Sequence, residues 1–576
     1  MKKTIEIGNL YPTIADGSFP VKREVDRPLR ATVEVCGPGR KKVELLWREK
    51  EKAPGNWNRV PMKRVSPIRW EGEIPIRRCG TYLFTAEASV PGSKPERYGL
   101  EQELWVGTER SRFAAWYELF PRSQGTVPGR HGTFKDVERR LPEIKAMGFD
   151  VIYVPPVCPI GHTNRKGRNN SLVAAPDDPG TPWSVGNEHG GHTAIHPLLG
   201  TEKSFRHLVS LLKDMEMELA LDFTSNCSPD HPWIREHPGW FFRNPDGTIK
   251  YAENPPKKYE DVCPLNYYPK DREAMWQAQL DIFLCWIERG VTTFRIDNPH
   301  TKPTEFWAWL IREIRKVCPE AVFLSEAFTD YDKLEELARA GFTQSYSYFT
   351  WRNGKNELIE YFLKLTGTYL SEFLRVNLFT NTPDILPEYL QTGGKPAFKI
   401  RAALAATLSS VYGIYSGFEL LENKPLVPGK ESYLDSEKYE IKVRDWDRAG
   451  NIKDYLAALN RIRRENRALR YYDNLRILSS TDDQILFYGK ISPGRDNIVV
   501  CAVNLDPFAS HTGRITLPLE EFGIGSNEEY RAVNLLDGVP EPWRGREQIV
   551  TLDPEVEPAA IYRIEKPAPS ATRDDR

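Results

Sequence analysis

The sequence predicts a multidomain α/β protein: a (β/α)8 TIM barrel catalytic domain flanked by an N-terminal β-sandwich and a C-terminal β domain. Three observations carry this. Between about residues 108 and 466, strand-like apolar runs alternate with helical stretches, the signature of a parallel α/β architecture. Residues 24–107 show short segments of β-type alternation, such as Ala31-Thr-Val-Glu-Val and Thr81-Tyr-Leu-Phe-Thr, separated by Pro/Gly turns. Beyond Asn466 the alternation returns in Gln484-Ile-Leu-Phe-Tyr and Asn497-Ile-Val-Val-Cys-Ala-Val. The expected domains are therefore 1–107, 108–466 and 467–565, with a disordered tail over 566–576.

Eight runs fit barrel strands. They begin at Ala115, Phe149, Glu218, Val291, Val322, Gln344, Val376 and Val411. Runs that are apolar throughout imply burial on both faces, which a doubly wound open sheet would satisfy equally. Two long polar loops, 155–200 and 223–268, follow the second and third runs, and loops at the carboxyl ends of barrel strands are where active sites are built.

The 576-residue length fits two to four domains of roughly 100–200 residues each. Lys plus Arg (79) nearly balance Asp plus Glu (80), so no strong field favours nucleic acid or an anionic membrane as partner. The eight cysteines are scattered without zinc-type spacing, and the N-terminus lacks the apolar stretch of a signal peptide. A cytoplasmic protein with reduced thiols is expected. His192 and His196 are spaced i, i+4, but Pro197 and the lack of an HExxH glutamate argue against a helical zinc site. No cofactor and no metal are expected, although carboxylate-rich loops leave calcium open.

The chemistry concentrates in Phe294-Arg-Ile-Asp-Asn-Pro-His300. Arg295 and Asp297 lie two apart on a strand and share a side, so the arginine can keep Asp297 ionised and oriented, as a carboxylate nucleophile requires. A purely structural Arg–Asp bridge is the alternative. A second acid, Glu326, ends the next strand, and a third, Asp384, ends a later one. Three carboxylates at one barrel mouth suit retaining glycosyl transfer, with Asp297 as nucleophile, Glu326 as acid/base and Asp384 as transition-state stabiliser.

Arg295-x-Asp297, Glu326 and Asp384 resemble, in order and spacing, the catalytic trio of the α-amylase family. Two departures are plain: Pro383 stands where most amylases carry histidine, and Cys227 follows Asn226 where Asn-His is usual. Trp116-Tyr-Glu-Leu-Phe-Pro-Arg-Ser, Arg165-Lys-Gly-Arg-Asn-Asn, Tyr251-Ala-Glu-Asn-Pro-Pro-Lys-Lys-Tyr and Ser436-Glu-Lys-Tyr-Glu-Ile-Lys resemble the bacterial maltosyltransferase family that extends α-1,4-glucans from α-maltose 1-phosphate. That resemblance implies that Lys166, Asn226, Asp261, Asn298, Lys438 and Tyr439 line the maltosyl subsites. It also implies that Asn254, Lys257 and Tyr259 face the donor phosphate, against a solvated Lys-Lys turn as the plain alternative.

The implied activity is retaining transfer of maltosyl from α-maltose 1-phosphate to the non-reducing end of maltooligosaccharides or glycogen, reversible with inorganic phosphate. An α-glucan hydrolase or 4-α-glucanotransferase on the same scaffold is the rival, and a catalytically silent glucan-binding protein is a distant third. The family usually carries glutamine at the position of Asn226, which puts donor preference in question. It also inserts a helical bundle that helps form a dimer; here the sandwich runs directly into the barrel, so a homodimer stays an open alternative.

Overall fold

Eight strand–helix pairs run along the middle of the chain in the computed structural model, which describes residues 5–51, 56–254 and 257–566. The strands are β1 (Ala114–Glu118), β2 (Val151–Val154), β3 (Glu218–Phe223), β4 (Thr293–Ile296), β5 (Val322–Ser325), β6 (Gln344–Ser345), β7 (Leu378–Phe379) and β8 (Val411–Tyr415). The helices that follow them are α1 (Phe134–Ala146), α2 (Glu202–Asp214), α3 (Arg272–Glu288), α4 (Thr304–Val317), α5 (Tyr331–Ala340), α6 (Lys355–Gly367), α7 (Gly394–Leu408) and α8 (Lys453–Glu465). All eight expected runs contain a strand, but β6 and β7 shrink to two residues each. After β6 the backbone turns into a 3-10 segment, Tyr348–Trp351, because the Ser347 hydroxyl accepts from the Phe349 N–H and ends the strand.

The chain divides into two compact units, one of them Met1–Arg112, Asn298–Ser345 and Tyr369–Arg375. Its N-terminal part holds two sheets, one ordered Glu6–Tyr11, Leu29–Cys36, Arg69–Ile74, Lys63–Arg64 and the other Val21–Glu24, Gln102–Gly107, Gly80–Ser89, Lys42–Glu49, Asn58–Pro61. Period-two alternation drives them: Leu29, Ala31, Val33 and Val35 are fully buried while Arg30 and Cys36 face solvent. In the same unit β5 and β6 pair in parallel, and α4 buries Phe306, Trp307, Leu310, Ile311 and Ile314 along one stripe. Lys22, buried in the sandwich, donates to the carbonyls of Ala338 and Phe342 at the C-terminal end of α5, where a cation complements the unpaired carbonyls.

The other unit comprises Phe113–Asp297, Tyr346–Thr368 and Val376–Arg576. Six strands form a parallel sheet ordered β4-β3-β2-β1-β8-β7. The register sets Asp222 of β3 opposite Arg295 of β4. Every residue of β1, β2, β4 and β8 is buried, as strands covered on both faces require. Helix starts are capped: Thr133 and Asp136 form a reciprocal box at α1, and Thr201 and Ser204 do so at α2. The loop after β3 is pinned by Cys227 and Cys263, which exchange backbone hydrogen bonds of 3.0 and 2.6 Å, and it carries a small hairpin, Ala252–Asn254 with Lys257–Tyr259.

C-terminal to α8, eight strands form an antiparallel sheet between Leu475 and Glu565. Phe487, Val500, Tyr530, Trp543 and Tyr562 belong to its core, each such side chain contributing on the order of 1.5–3 kcal/mol by leaving water. Residues 567–576 of the expected tail lie outside the described residues. Among the described residues no helix is long and apolar enough to cross a membrane.

Candidate active site

The carboxyl ends of β3 and β4 bring three charged side chains together. Arg295 Nη1 donates to Asp297 Oδ1 at 3.0 Å and to Asp222 Oδ2 at 2.9 Å. The two-residue spacing puts Arg295 and Asp297 on one side of β4, and the parallel register supplies Asp222 from β3. Asp222 Oδ2 also accepts from the Tyr153 hydroxyl at 2.6 Å and the Trp183 indole at 3.1 Å, while its Oδ1 is buried without a partner among the described residues. Burial pushes the Asp222 carboxyl up to about 7; Arg295 opposes that shift and the Asp297 charge adds to it.

Asp384 ends the turn Asn381-Thr-Pro-Asp384, where its N–H donates to the Thr382 hydroxyl at 3.2 Å. Its Oδ1 accepts from Lys438 Nζ at 2.5 Å. Burial works against the Lys438 ammonium, but the Asp384 carboxylate, followed by the Tyr439 and Tyr259 phenols, holds it well above the ordinary lysine value. The same ammonium lies 5.1 Å from the centre of the Trp183 ring, a cation–π contact. Trp183 therefore meets the ion pair of Asp384 through its face and Asp222 through its N–H. Arg122, itself buried, fixes the loop under Lys438: its guanidinium donates to the carbonyls of Gly180, Glu437 and Lys438, each at 2.8 Å.

Lys166 is buried and paired with Glu260. Next to it in the chain, Asp261 is 2% exposed and burial raises its carboxyl to about 6, with Lys166 and Lys438 pulling the other way. Asp261 Oδ2 and Asn226 Oδ1 are both buried and have no hydrogen-bond partner among the described residues. Such groups cost about 1–3 kcal/mol each until a ligand or water satisfies them. The side chains of Asn254 and Lys257 lie outside the described residues. Tyr259 is described and sits close enough to Lys438 to influence it.

In the unit that holds β5, Glu326 follows that strand and its Oε2 accepts from the backbone N–H of Asn298 at 3.2 Å. Asn298 has φ of 44°, the left-handed conformation that Asn tolerates better than most residues. This turns the chain off β4 immediately after Asp297.

Sequence reasoning missed Asp222, Tyr153, Trp183, Arg122 and His231. For Asp222 the signal was a charge inside the apolar run Leu219-Ala-Leu-Asp-Phe, and Arg122 lies within the family-like stretch Trp116-Tyr-Glu-Leu-Phe-Pro-Arg-Ser, which does not show what it would bind. His192, Cys227 and His231 bring ligand-type atoms within 4.8 Å of one another, the one group of this kind among the described residues. Their hydrogen bonds assign the protons. His231 Nδ1 accepts from the Trp233 N–H at 3.1 Å, so its Nε2 donates to His192 Nδ1 at 3.1 Å, and His192 Nε2 donates to the Thr224 carbonyl at 2.9 Å. Every ring lone pair is engaged, so this donor set fits a metal poorly. Burial lowers His192 to about 4 and holds His231 well below the ordinary imidazole value, which keeps both rings neutral. His196 is not on a helix with His192; it stacks on His131 at 5.3 Å.

Three family models match the chain: "Alpha-1,4-glucan:maltose-1-phosphate maltosyltransferase, domain N/S" over residues 3–92, "Alpha amylase, catalytic domain" over 116–289, and "GLGE, C-terminal" over 477–564. The α-1,4-glucan:maltose-1-phosphate maltosyltransferase of Rhodospirillum rubrum is 53% identical over 653 residues, covering 97% of this chain and 95% of the relative. The chain belongs to this maltosyltransferase family. The enzyme of the same name from Myxococcus xanthus is 41% identical over 649 residues, covering 98% of this chain and 97% of the relative. Both alignments are longer than the 576-residue chain, so these maltosyltransferases carry segments it lacks.

Among solved structures, an α-amylase from Lactobacillus plantarum superimposes with a TM-score of 0.61 at 20% identity, over 79% of this chain and all of that one. A cyclomaltodextrinase does so at 0.59 and 14% identity, over 96% of this chain and 99% of that one. These likenesses show the fold: a (β/α)8 catalytic barrel of the α-amylase type with flanking β domains, the architecture of a maltosyltransferase-family enzyme.

Proposed function

We propose that the protein is a retaining glycosyltransferase that moves maltosyl from α-maltose 1-phosphate to the non-reducing end of α-1,4-glucans. Asp297 attacks the anomeric carbon as the phosphate oxygen departs, giving a maltosyl-enzyme ester. Glu326 assists departure and then takes the proton of the acceptor 4-hydroxyl, which displaces Asp297 with net retention. Asp384, held by Lys438, binds sugar hydroxyls as charge develops. In reverse, inorganic phosphate is the acceptor.

The observation that carries this reading is the hydrogen bond from Arg295 to Asp297, which orients one carboxylate oxygen, in a chain of the maltosyltransferase family. The bare oxygens of Asp261 and Asn226 support the sugar-binding roles of Lys166, Asn226, Asp261, Asn298, Lys438 and Tyr439. Asn254, Lys257 and Tyr259 are proposed for the donor phosphate on the family resemblance. Eight free cysteines suit a reducing cytoplasm. The domain limits proposed for the enzyme are 1–107, 108–466 and 467–565, and sedimentation of the purified chain distinguishes monomer from homodimer.

The test is incubation with maltoheptaose or glycogen and inorganic phosphate, followed by phosphorus NMR. Appearance of α-maltose 1-phosphate is expected, and Lys257→Ala should abolish it. Glucan shortening or disproportionation without phosphate incorporation would leave a hydrolase or 4-α-glucanotransferase instead.

A further inference from the structure

We propose that a cleft in the N-terminal unit is a second binding site, taking a phosphate monoester and sharing no residue with the site assigned to turnover. The cleft has a volume of about 550 Å³, inside the range of roughly 300–1,000 Å³ usual for small-molecule sites. Its walls come from the sandwich strands Lys42–Glu49, Gly80–Ser89 and Gln102–Gly107 and from α4 and α5. Six cationic side chains line it, Lys50, Arg78, Arg312, Arg315, Lys316 and Arg339, against three carboxylates, Glu49, Glu51 and Glu103.

Part of this charge is already paired, Arg312 and Lys316 with Glu313 at 3.7 and 2.7 Å and Arg339 with Glu335 at 2.9 Å, so the cations open to an anion are Arg315 and Arg78. Glu103 is taken by Lys50 at 2.5 Å. Arg315 stacks on Trp105 at 4.1 Å, and the Trp105 indole donates to the Pro319 carbonyl at 3.3 Å. The Arg315 guanidinium gives its Nη2 protons to neutral acceptors, the Gly341 carbonyl at 2.8 Å and the Thr343 hydroxyl at 3.2 Å, and its Nε is without a partner among the described residues. Burial pushes Arg315 down to about 9 against the opposing charge of Glu103, so it stays protonated at neutral pH. Arg78, exposed on the turn into Gly80–Ser89, has no carboxylate partner among the described residues. A stacked guanidinium with unspent N–H donors, beside further cations, matches an oxyanion of charge near −2.

The space beyond the cations indicates what the anion carries. An adjoining recess of about 260 Å³ shares Glu49, Arg78 and Tyr82 with the cleft and is walled by Trp47, Ile74 and Leu104. Trp47 and Tyr82 lie 5.9 Å apart. Aromatic faces of this kind accept the apolar face of a sugar, so Arg78 stands between a phosphate-binding wall and a sugar-binding one. A glycosyl phosphate and free inorganic phosphate share the recognised chemistry.

Calorimetric titration of the full chain with inorganic phosphate, glucose 1-phosphate and maltose decides the matter, repeated on Arg78→Gln and Arg315→Gln. Two classes of monoester site are expected in the unaltered protein. Each substitution should weaken one class at least tenfold while kcat/KM for glucan stays within twofold. Tighter binding of glucose 1-phosphate than of phosphate at that class makes the occupant a glycosyl phosphate; the reverse order makes it free phosphate. Because Arg78 is exposed, its variant folds and decides the question even if the Arg315 variant does not. A single class of site, unchanged affinity in Arg78→Gln, maltose binding as tight as glucose 1-phosphate, or a parallel loss of kcat/KM would each overturn the proposal.

Discussion

Asp222 and Asp261 are both buried carboxylates, 4% and 2% exposed, and burial raises both, yet their surroundings are opposite. Asp222 receives three side-chain donors on one oxygen, from Tyr153, Trp183 and Arg295. Each leaves one oxygen bare, but Asp261 receives no side-chain donor among the described residues, with two lysines near and neither bonded to it. At the floor the Asp222 carboxylate is oriented by three donors before any substrate arrives, whereas at the rim Asp261 must take its donors from a ligand. Preorganised floors act on the transition state, and unpaired rims act on binding. Changes at the floor should therefore appear in kcat and changes at the rim in KM.

The largest effect is expected from Asp297→Asn, which removes the proposed nucleophile. Turnover should fall by roughly 10⁴-fold or more with the melting temperature nearly unchanged, read by phosphate release and calorimetry on the same preparation. A residual rate within tenfold of the unaltered protein would remove Asp297 from the chemistry.

Asp222→Asn comes next, with a loss of about 10²-fold in kcat and little change in KM, because Arg295 keeps a neutral acceptor but loses a charge. Its stability carries a pH signature. The folded carboxyl titrates near 7 against about 3.9 when unfolded, so its contribution to stability is whole below about pH 4 and is lost as pH rises through 7. Denaturant titrations at pH 5 and 8 should show Asp222→Asn gaining relative to the unaltered protein at the higher pH. The opposite sign would mean that Arg295 outweighs burial.

Arg122→Ala unties the carbonyls of Gly180, Glu437 and Lys438 at once, and KM should rise roughly tenfold or more with a smaller change in kcat. If kcat alone fell, Arg122 would belong with the floor. At the rim, sugar hydroxyls donate to ionised Asp261, so glucan affinity should weaken by up to about tenfold between pH 7 and pH 5, as the free carboxyl titrates near 6. Asp261→Asn should flatten that profile. A profile unchanged in the variant would assign the titration to another group.

Much of the fold was legible because its signals are local. Period-two alternation marks strands such as Leu29–Cys36, and apolar runs mark β1–β5 and β8, since a strand buried on both faces has no polar side to display. β6 and β7 were overestimated because Ser347 and the Asn381-Thr-Pro-Asp turn divert the backbone, and run length does not register such diversions. Within the site, the pairing of Arg295 with Asp297 could be read from two-residue spacing. The reach of Lys438 to Asp384, across 54 positions, was not legible, since the family resemblance implied only that Lys438 lines the maltosyl subsites.

By itself the sequence determined the run of strands and helices and the membership in a maltosyltransferase family, and it singled out the three candidate carboxylates, all of which depend on residue type and near-neighbour order. Tertiary structure alone decided that Asp222 takes three donors, that Trp183 meets both Asp222 and Lys438, that Arg122 braces the loop of Lys438 from 316 positions away, and that the two histidine rings share a proton chain. These partners are chosen by strand register and loop return. In a parallel sheet both are set by packing between segments tens to hundreds of residues apart, which no local periodicity records.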